Sequence, residues 1–190
     1  MTRLAETLAA IDQLHGMDPK IVDGTPAELS YALQMTYWLQ QLAPDASEEL
    51  QIAVRSQHLC RWEISRSEYP EGRTGYLKWR TELGKLHARK ACEIMARHGY
   101  SEESCAQASA IIRKQGIKRN ADTQALEDCA CLVFLTRDFS AFAEKHPRGK
   151  VISIVQKTWN KMSERAHQEA LTLPFSEADR HLLEVALAKP

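Results

Sequence analysis

Three side chains in this sequence are of the types that metal-assisted chemistry uses: His58, His87 and Asp128. Asp128 stands in Ala125-Leu126-Glu127-Asp128-Cys129-Ala130-Cys131-Leu132-Val133-Phe134-Leu135, the most apolar helical stretch of the chain. At helical spacing it shares a face with Ala125, Cys131, Leu132 and Leu135. An ionised carboxylate in such surroundings is costly unless a cation, a metal or several hydrogen bonds compensate it. A positive group is therefore expected opposite Asp128.

The two histidines are the candidate companions. The segment Arg55-Ser56-Gln57-His58-Leu59-Cys60-Arg61-Trp62 reads as helix, with Arg55, His58, Arg61 and Trp62 on one stripe. Such a face suits a phosphate or carboxylate, because arginine offers paired donors to oxyanions. His87 lies among Leu83, Ala91 and Ile94 on its own predicted helix, so its ring is expected to point into the core. Two neutral imidazoles and a carboxylate from three helices form a ligand set for one divalent transition metal, such as Mn, Fe, Zn, Ni or Co. His58 and Asp128 would be catalytic, and Arg55, Arg61, Lys85 and Arg89 would neutralise a phosphate as charge develops.

The elements that must position these groups are helical. Thr25-Pro26-Ala27-Glu28 has the pattern of a capping box, opening a helix that runs to about Leu42. Ser47-Glu48-Glu49 starts a second, carrying Ile52, Leu59 and Trp62. After the Tyr69-Pro70-Glu71-Gly72 turn, a long helix spans roughly Thr74 to His98 and stops at Gly99. Ser101 caps the next, which Gly116 ends. The Asp128 helix covers about Asp122 to Arg137. Past Pro147 a long helix reaches about Leu173, and Ser176 caps a short last one. Strand signals are nearly absent, and there is no repeat or linker. The expectation is a single all-α domain covering the whole chain.

Glu28 and Tyr31 share one face and can reach one cavity, although Glu28 is expected to serve the capping box. The pairs Arg113-Lys114 and Lys118-Arg119 read as a solvated loop around Gly116. Lys157, Lys161 and Arg165 recur at helical spacing as a basic stripe. Trp62 and Trp79 are read as core residues that would also offer stacking surfaces.

Lys+Arg and Asp+Glu both total 25, so global charge points to no partner. Locally, Arg55 to Arg97 holds ten Lys or Arg against five Glu, which favours an anionic ligand. Five cysteines without a Cys-x-x-Cys pair argue against a disulfide framework and for a reducing cytoplasm. The start of the chain lacks a secretory pattern, and no apolar run approaches the ~20 residues of a membrane helix. A cytoplasmic protein without a membrane partner is expected.

Lys161-Met162-Ser163-Glu164-Arg165 resembles the Lys-Met-Ser-Lys-Ser loop of class I aminoacyl-tRNA synthetases, but it falls inside a predicted helix. There is no His-x-Gly-His partner and no strand–helix alternation, which excludes a synthetase. Four longer segments, 57–64, 75–80, 126–135 and 157–163, are similar to an uncharacterised domain-of-unknown-function family whose members often carry a glutamyl-tRNA synthetase label. That likeness covers nearly the whole chain and implies no activity. More distantly, the order of elements resembles the HD superfamily of metal-dependent phosphohydrolases, which are all-α. There His58 resembles the His of the His-Asp dipeptide, Asp128 the final Asp, and His87 the additional His between them. Leu59 stands where the dipeptide carries Asp.

This resemblance implies an HD-like helical bundle that hydrolyses a phosphorylated small molecule or nucleotide with one metal at His58, His87 and Asp128. One alternative is a non-catalytic domain of the same fold that binds an anionic ligand such as RNA. Another is an iron-dependent oxygenase on that fold. A last possibility is a helical adaptor whose Asp128 pairs with a buried Arg or caps a neighbouring helix.

Overall fold

Apolar faces of one to several turns, separated by Ser, Pro and Gly breaks, fold into α-helices, and side-chain caps set most of their starts. The computed structural model describes residues 2–188. Its helices are α1 (Arg3–His15), α2 (Ala27–Leu42), α3 (Glu48–Arg55), α4 (Gly72–Arg97), α5 (Glu102–Ile112), α6 (Ala121–Val133), α7 (Phe139–Lys145), α8 (Arg148–Lys161), α9 (Glu164–Leu171) and α10 (Glu177–Leu187). A hairpin of β1 (Ile21–Val22) and β2 (Thr25–Pro26) is the one sheet among the described residues. The all-α expectation holds. Ser47, Ser101 and Ser176 cap their helices as the sequence pattern indicates, each accepting from a backbone N–H three residues on.

Helix α6 is the central element. It packs against α2, α3 and α5 on one side and α8 and α9 on the other. The larger apolar cluster lies between these helices, with Met35, Leu126, Leu132, Val133 and Phe139 fully or almost fully buried. A second cluster joins α1, α3, α4 and α5 through Ile11, Ile52, Leu59, Ile94 and Met95.

Asp128 is 4 % exposed, and what faces it is a helix start rather than a cation. The helix expected to run from Pro147 to Leu173 breaks at Met162, where ψ turns to 152°. Ser163 then caps α9. The Ser163 backbone N–H donates to Asp128 Oδ1 at 2.8 Å and its hydroxyl to Oδ2 at 2.6 Å. Gln124 donates to the same carboxylate at 2.9 Å and to the Lys161 carbonyl at 2.8 Å. Three donors and the positive end of the α9 dipole thus compensate the buried charge. The Lys161–Arg165 segment is a helix junction and not the helix interior expected from sequence. One residue earlier, buried Glu127 binds Lys114 and Lys161. Burial pushes its carboxyl up, but Lys114 and then Lys161 overcome this and hold it below the usual range.

Helix α1, which the sequence patterns left unassigned, precedes the hairpin. Helix α2 buries Ala32, Met35, Trp38 and Leu39 and leaves Leu33 exposed. Two further expectations are corrected. The Thr25–Glu28 capping box does not form. Asp18 instead accepts from the Glu28 N–H at 2.9 Å, and Pro26 at the cap position contributes no side-chain bond. Helix α3 ends at Arg55, so His58 is not helical.

Replacing Asp128 with Ala should cost about 2 to 3 kcal/mol, because it strands three donors and frees the start of α9 from α6. Ser163→Ala should cost about 1 kcal/mol, and the double variant little more than Asp128→Ala alone, since the two side chains form one unit. Urea unfolding midpoints of the three variants check this. Additive losses would contradict the lock between α6 and α9.

A polar cavity at the start of helix α2

Beyond Arg55 the backbone turns through two left-handed residues, His58 (φ 65°) and Cys60 (φ 56°). Non-glycine residues seldom adopt this region, and the surroundings must hold them there. Gln57 does so by donating to the Ile112 carbonyl at 3.2 Å. Leu59 is fully buried in the second cluster. Its carbonyl meets His87 Nδ1 at 2.7 Å. An Asp at position 59 would enter that apolar cluster, so the missing His-Asp dipeptide has a packing reason. The chain after the turn is pinned to α4 by Trp79, whose indole N–H donates to the Ile64 carbonyl at 3.0 Å. Gly75 permits this course, because a Cβ there would sit 1.8 Å from the Pro70 oxygen.

The turn presents His58 to a cavity of about 460 Å³. Glu28 and Tyr31 of α2, Arg61 and Trp79 line it with His58, and Arg137 and Asp138 close its far side. Buried Asp18 and exposed Lys20, ahead of the hairpin, complete the lining. The Asp23-Gly24 pair, both at positive φ, makes the tight turn that folds this segment back. Glu28 Oε2 lies 2.9 Å from His58 Nδ1, and Tyr31 stacks on the imidazole with centroids 4.2 Å apart and planes at 13°.

Arg61 covers the ring as well. Its Nη1 is 3.0 Å from Nε2 and 3.3 Å from Nδ1. The two lone-pair directions diverge in the ring plane, so one nitrogen near both atoms lies against the ring face and not in line with either. On its other side Arg61 approaches Trp79, with Cζ 5.1 Å from the ring centre. The result is a layered stack of Tyr31, His58, Arg61 and Trp79. Arg61 Nε is 4.0 Å from Glu28, too long for a hydrogen bond.

Arg137 and Asp138 owe their position to a π-helical turn, Phe134–Asp138, between α6 and α7. The wider turn frees backbone groups, and Thr136 turns its hydroxyl back to the Leu132 carbonyl at 2.8 Å. Arg137 Nε is 3.4 Å from Asp138, but the buried Nη1 has no hydrogen-bond partner among the described residues. Burial pushes the Asp138 carboxyl up, with Arg137 opposing.

The sequence-derived candidates are divided by the fold. His58 and Arg61 line the cavity, and His87 stands behind with its ring centre 6.1 Å from that of His58. Asp128 is not part of this group, since its oxygens hold Ser163 and Gln124. Among the described residues no three His, Cys, Asp or Glu side chains are arranged to hold a metal ion. The set His58, His87 and Asp128 therefore does not fit the expected metal. Arg55 is tied to α1 and α2, 3.1 Å from Asp12 and donating to Thr36 at 2.9 Å. Lys85 and Arg89 lie exposed on α4 in ion pairs with Glu82 and Glu93. Glu28 and Tyr31, which the sequence placed on one face, do meet at His58. Arg137 and Lys20 were missed, because neither a π-helical turn nor a two-residue strand leaves a periodic signal.

These features define an all-α domain with a polar, aromatic-lined cavity at a helix start. The chain belongs to the family described as Domain of unknown function (DUF4202), which matches residues 5–183. No curated protein and no solved structure matches it, so nothing extends the likeness to the HD superfamily. No helix among the described residues is long and apolar enough to cross a membrane.

His58 lines the cavity, and His15 and His87 are buried. Burial pushes His15 and His58 below the ordinary imidazole value of 6.5, His58 well below, and pushes His87 down to about 3. The unfolded chain takes up these protons near that ordinary value while the folded chain does not. Stability is therefore complete above it and falls as pH drops, by up to about 1.4 kcal/mol per pH unit for each histidine. Urea midpoints measured from slightly alkaline to mildly acid pH check the slope, and a flat profile would contradict it.

Proposed function

We propose that this domain binds a small anionic molecule, a phosphorylated or carboxylated metabolite, in the cavity around His58. The observation that carries the reading is a pair of guanidiniums without full anionic partners on one cavity. Arg61 lies against a neutral imidazole, and Arg137 keeps a buried N–H unpaired. A buried donor left unmade costs about 1 to 3 kcal/mol. An oxyanion between the two arginines recovers that cost through charge-assisted bonds, for which the Arg137 guanidinium turns its buried Nη1 toward the cavity. Lys20 adds a third positive group to the lining. The carboxylates nearby are engaged to different degrees: Asp18 accepts from the N–H groups of Lys20 and Glu28, Glu28 holds His58, and Asp138 pairs with Arg137 Nε at 3.4 Å, leaving Nη1 free.

The cavity volume suits a small molecule better than a nucleic-acid strand. The paired, exposed Lys85 and Arg89 give little support to an RNA face. A metal-dependent phosphohydrolase or an iron oxygenase would need a ligand set other than His58, His87 and Asp128.

Isothermal titration with inorganic phosphate tests the proposal. Arg137→Gln should weaken binding about tenfold or more, as expected for loss of a charge-assisted contact. A Lys85→Ala/Arg89→Ala variant should bind as the wild type does. Equal affinity of wild type and Arg137→Gln would refute it.

A further inference from the structure

The cavity contains one feature that a plain anion trap lacks, an acceptor among its donors. Burial pushes the Glu28 carboxyl up, with Arg61 first among the charges opposing this; as a carboxylate it can only accept, so the proton of the His58 imidazole belongs on Nδ1. Nε2 then carries a bare lone pair. Arg61 lies across the ring face and does not cap that lone pair, and no other donor reaches it among the described residues. Tyr31 on the opposite face and the Glu28 bond prevent the ring from turning over. The cavity thus offers guanidinium N–H groups from Arg61 and Arg137 and one fixed acceptor at Nε2.

We propose that His58 makes this a site for oxyanions that keep a hydroxyl, the hydrogen phosphate class, and rejects fully ionised ones of equal size and charge such as sulfate. This deepens the anion-binding reading and rests on it. The ligand's O–H donates to Nε2 while its other oxygens accept from the two arginines. Sulfate at neutral pH has no proton to give, so one of its oxygens faces the Nε2 lone pair. A site built around a ligand hydroxyl discriminates strongly against analogues that lack it, because the buried partner is left unpaired.

Several charged and titratable groups face His58; the cations among them favour the neutral ring, and the Glu28 carboxylate opposes them. The groups are Glu28 and Tyr31 from α2, Arg61 from the turn, Arg80 and His87 from α4, Lys114 after α5 and His15 from α1. Burial acts first and Arg61 next in holding the imidazole well below its ordinary value. Acidification that protonates Nε2 turns the acceptor into a donor, and sulfate then gains affinity relative to phosphate.

The test is titration calorimetry of the full chain with inorganic phosphate and with sulfate at neutral pH, for the wild type and His58→Asn. Asparagine tolerates the left-handed backbone at this position and can present either an N–H or an oxygen. Phosphate should bind the wild type about tenfold or more tighter than sulfate, and His58→Asn should bind the two alike. Equal binding of both ions by the wild type overturns the proposal and leaves the anion site standing. Binding of neither ion overturns both. Nitrogen NMR of the wild-type ring gives a check that needs no variant. A proton on Nδ1 with a bare Nε2 is expected, and the reverse tautomer overturns the proposal.

Discussion

A carboxylate cannot be buried without donors, and the way Asp128 meets that demand organises the C-terminal half of the chain. Its two oxygens take the first N–H and the hydroxyl of Ser163, so α9 has to start against the middle of α6. The break at Met162 is the backbone's response. It turns one long helical pattern into α8 and α9, which cover different parts of α6. Glu127, the neighbouring carboxylate, is met by Lys114 and Lys161 and draws the loop after α5 to the same helix. Two adjacent acids on an apolar helix thus fix the junctions on both of its sides.

The cavity follows a different logic. Its wall comes from four departures from regular helix: the left-handed turn at His58, the Asp23-Gly24 hairpin, the close approach of Pro70 to Gly75, and the π-helical turn at Arg137. Each holds a polar or charged side chain, or a backbone course, that a regular helix would direct elsewhere. Strained backbone persists only where packing over-determines it. Here the buried Leu59 and Gln57 supply that packing on one side, and Thr136 satisfies the widened turn on the other. The charged groups inside are arranged in layers, with Tyr31 and Trp79 as the outer plates and His58 and Arg61 between them.

Helix content and most helix starts were readable from the chain, because Ser47, Ser101 and Ser176 announce themselves locally and apolar periodicity follows them. The cost of burying Asp128 was equally readable. Its remedy was not, since a serine thirty-five residues on gives no sign that its N–H is unpaired. His58 and Arg61 were found by residue type, yet for the wrong geometry: a helical stripe was assumed where two left-handed residues bring them together. Glu28 fits a capping box perfectly well in one dimension, and only the fold reveals that Asp18 has taken that role. His87 was placed correctly, its neighbours Leu83 and Ala91 being enough to turn it inward.

The π-helical turn also carries an evolutionary consequence. Such a turn holds one residue more than the α-helical course it interrupts, so it is the place where a single codon can be lost without breaking the helix. Deletion of one residue between 134 and 138 would restore regular α geometry. The helix after it would keep its phase relative to α6, because the wider turn already absorbs the extra residue. Phe139 would stay in the core, while the side chains of the turn itself, Arg137 among them, would shift. Keeping the extra residue is thus the condition for presenting Arg137 at the cavity, and its loss would be a discrete change rather than a graded one.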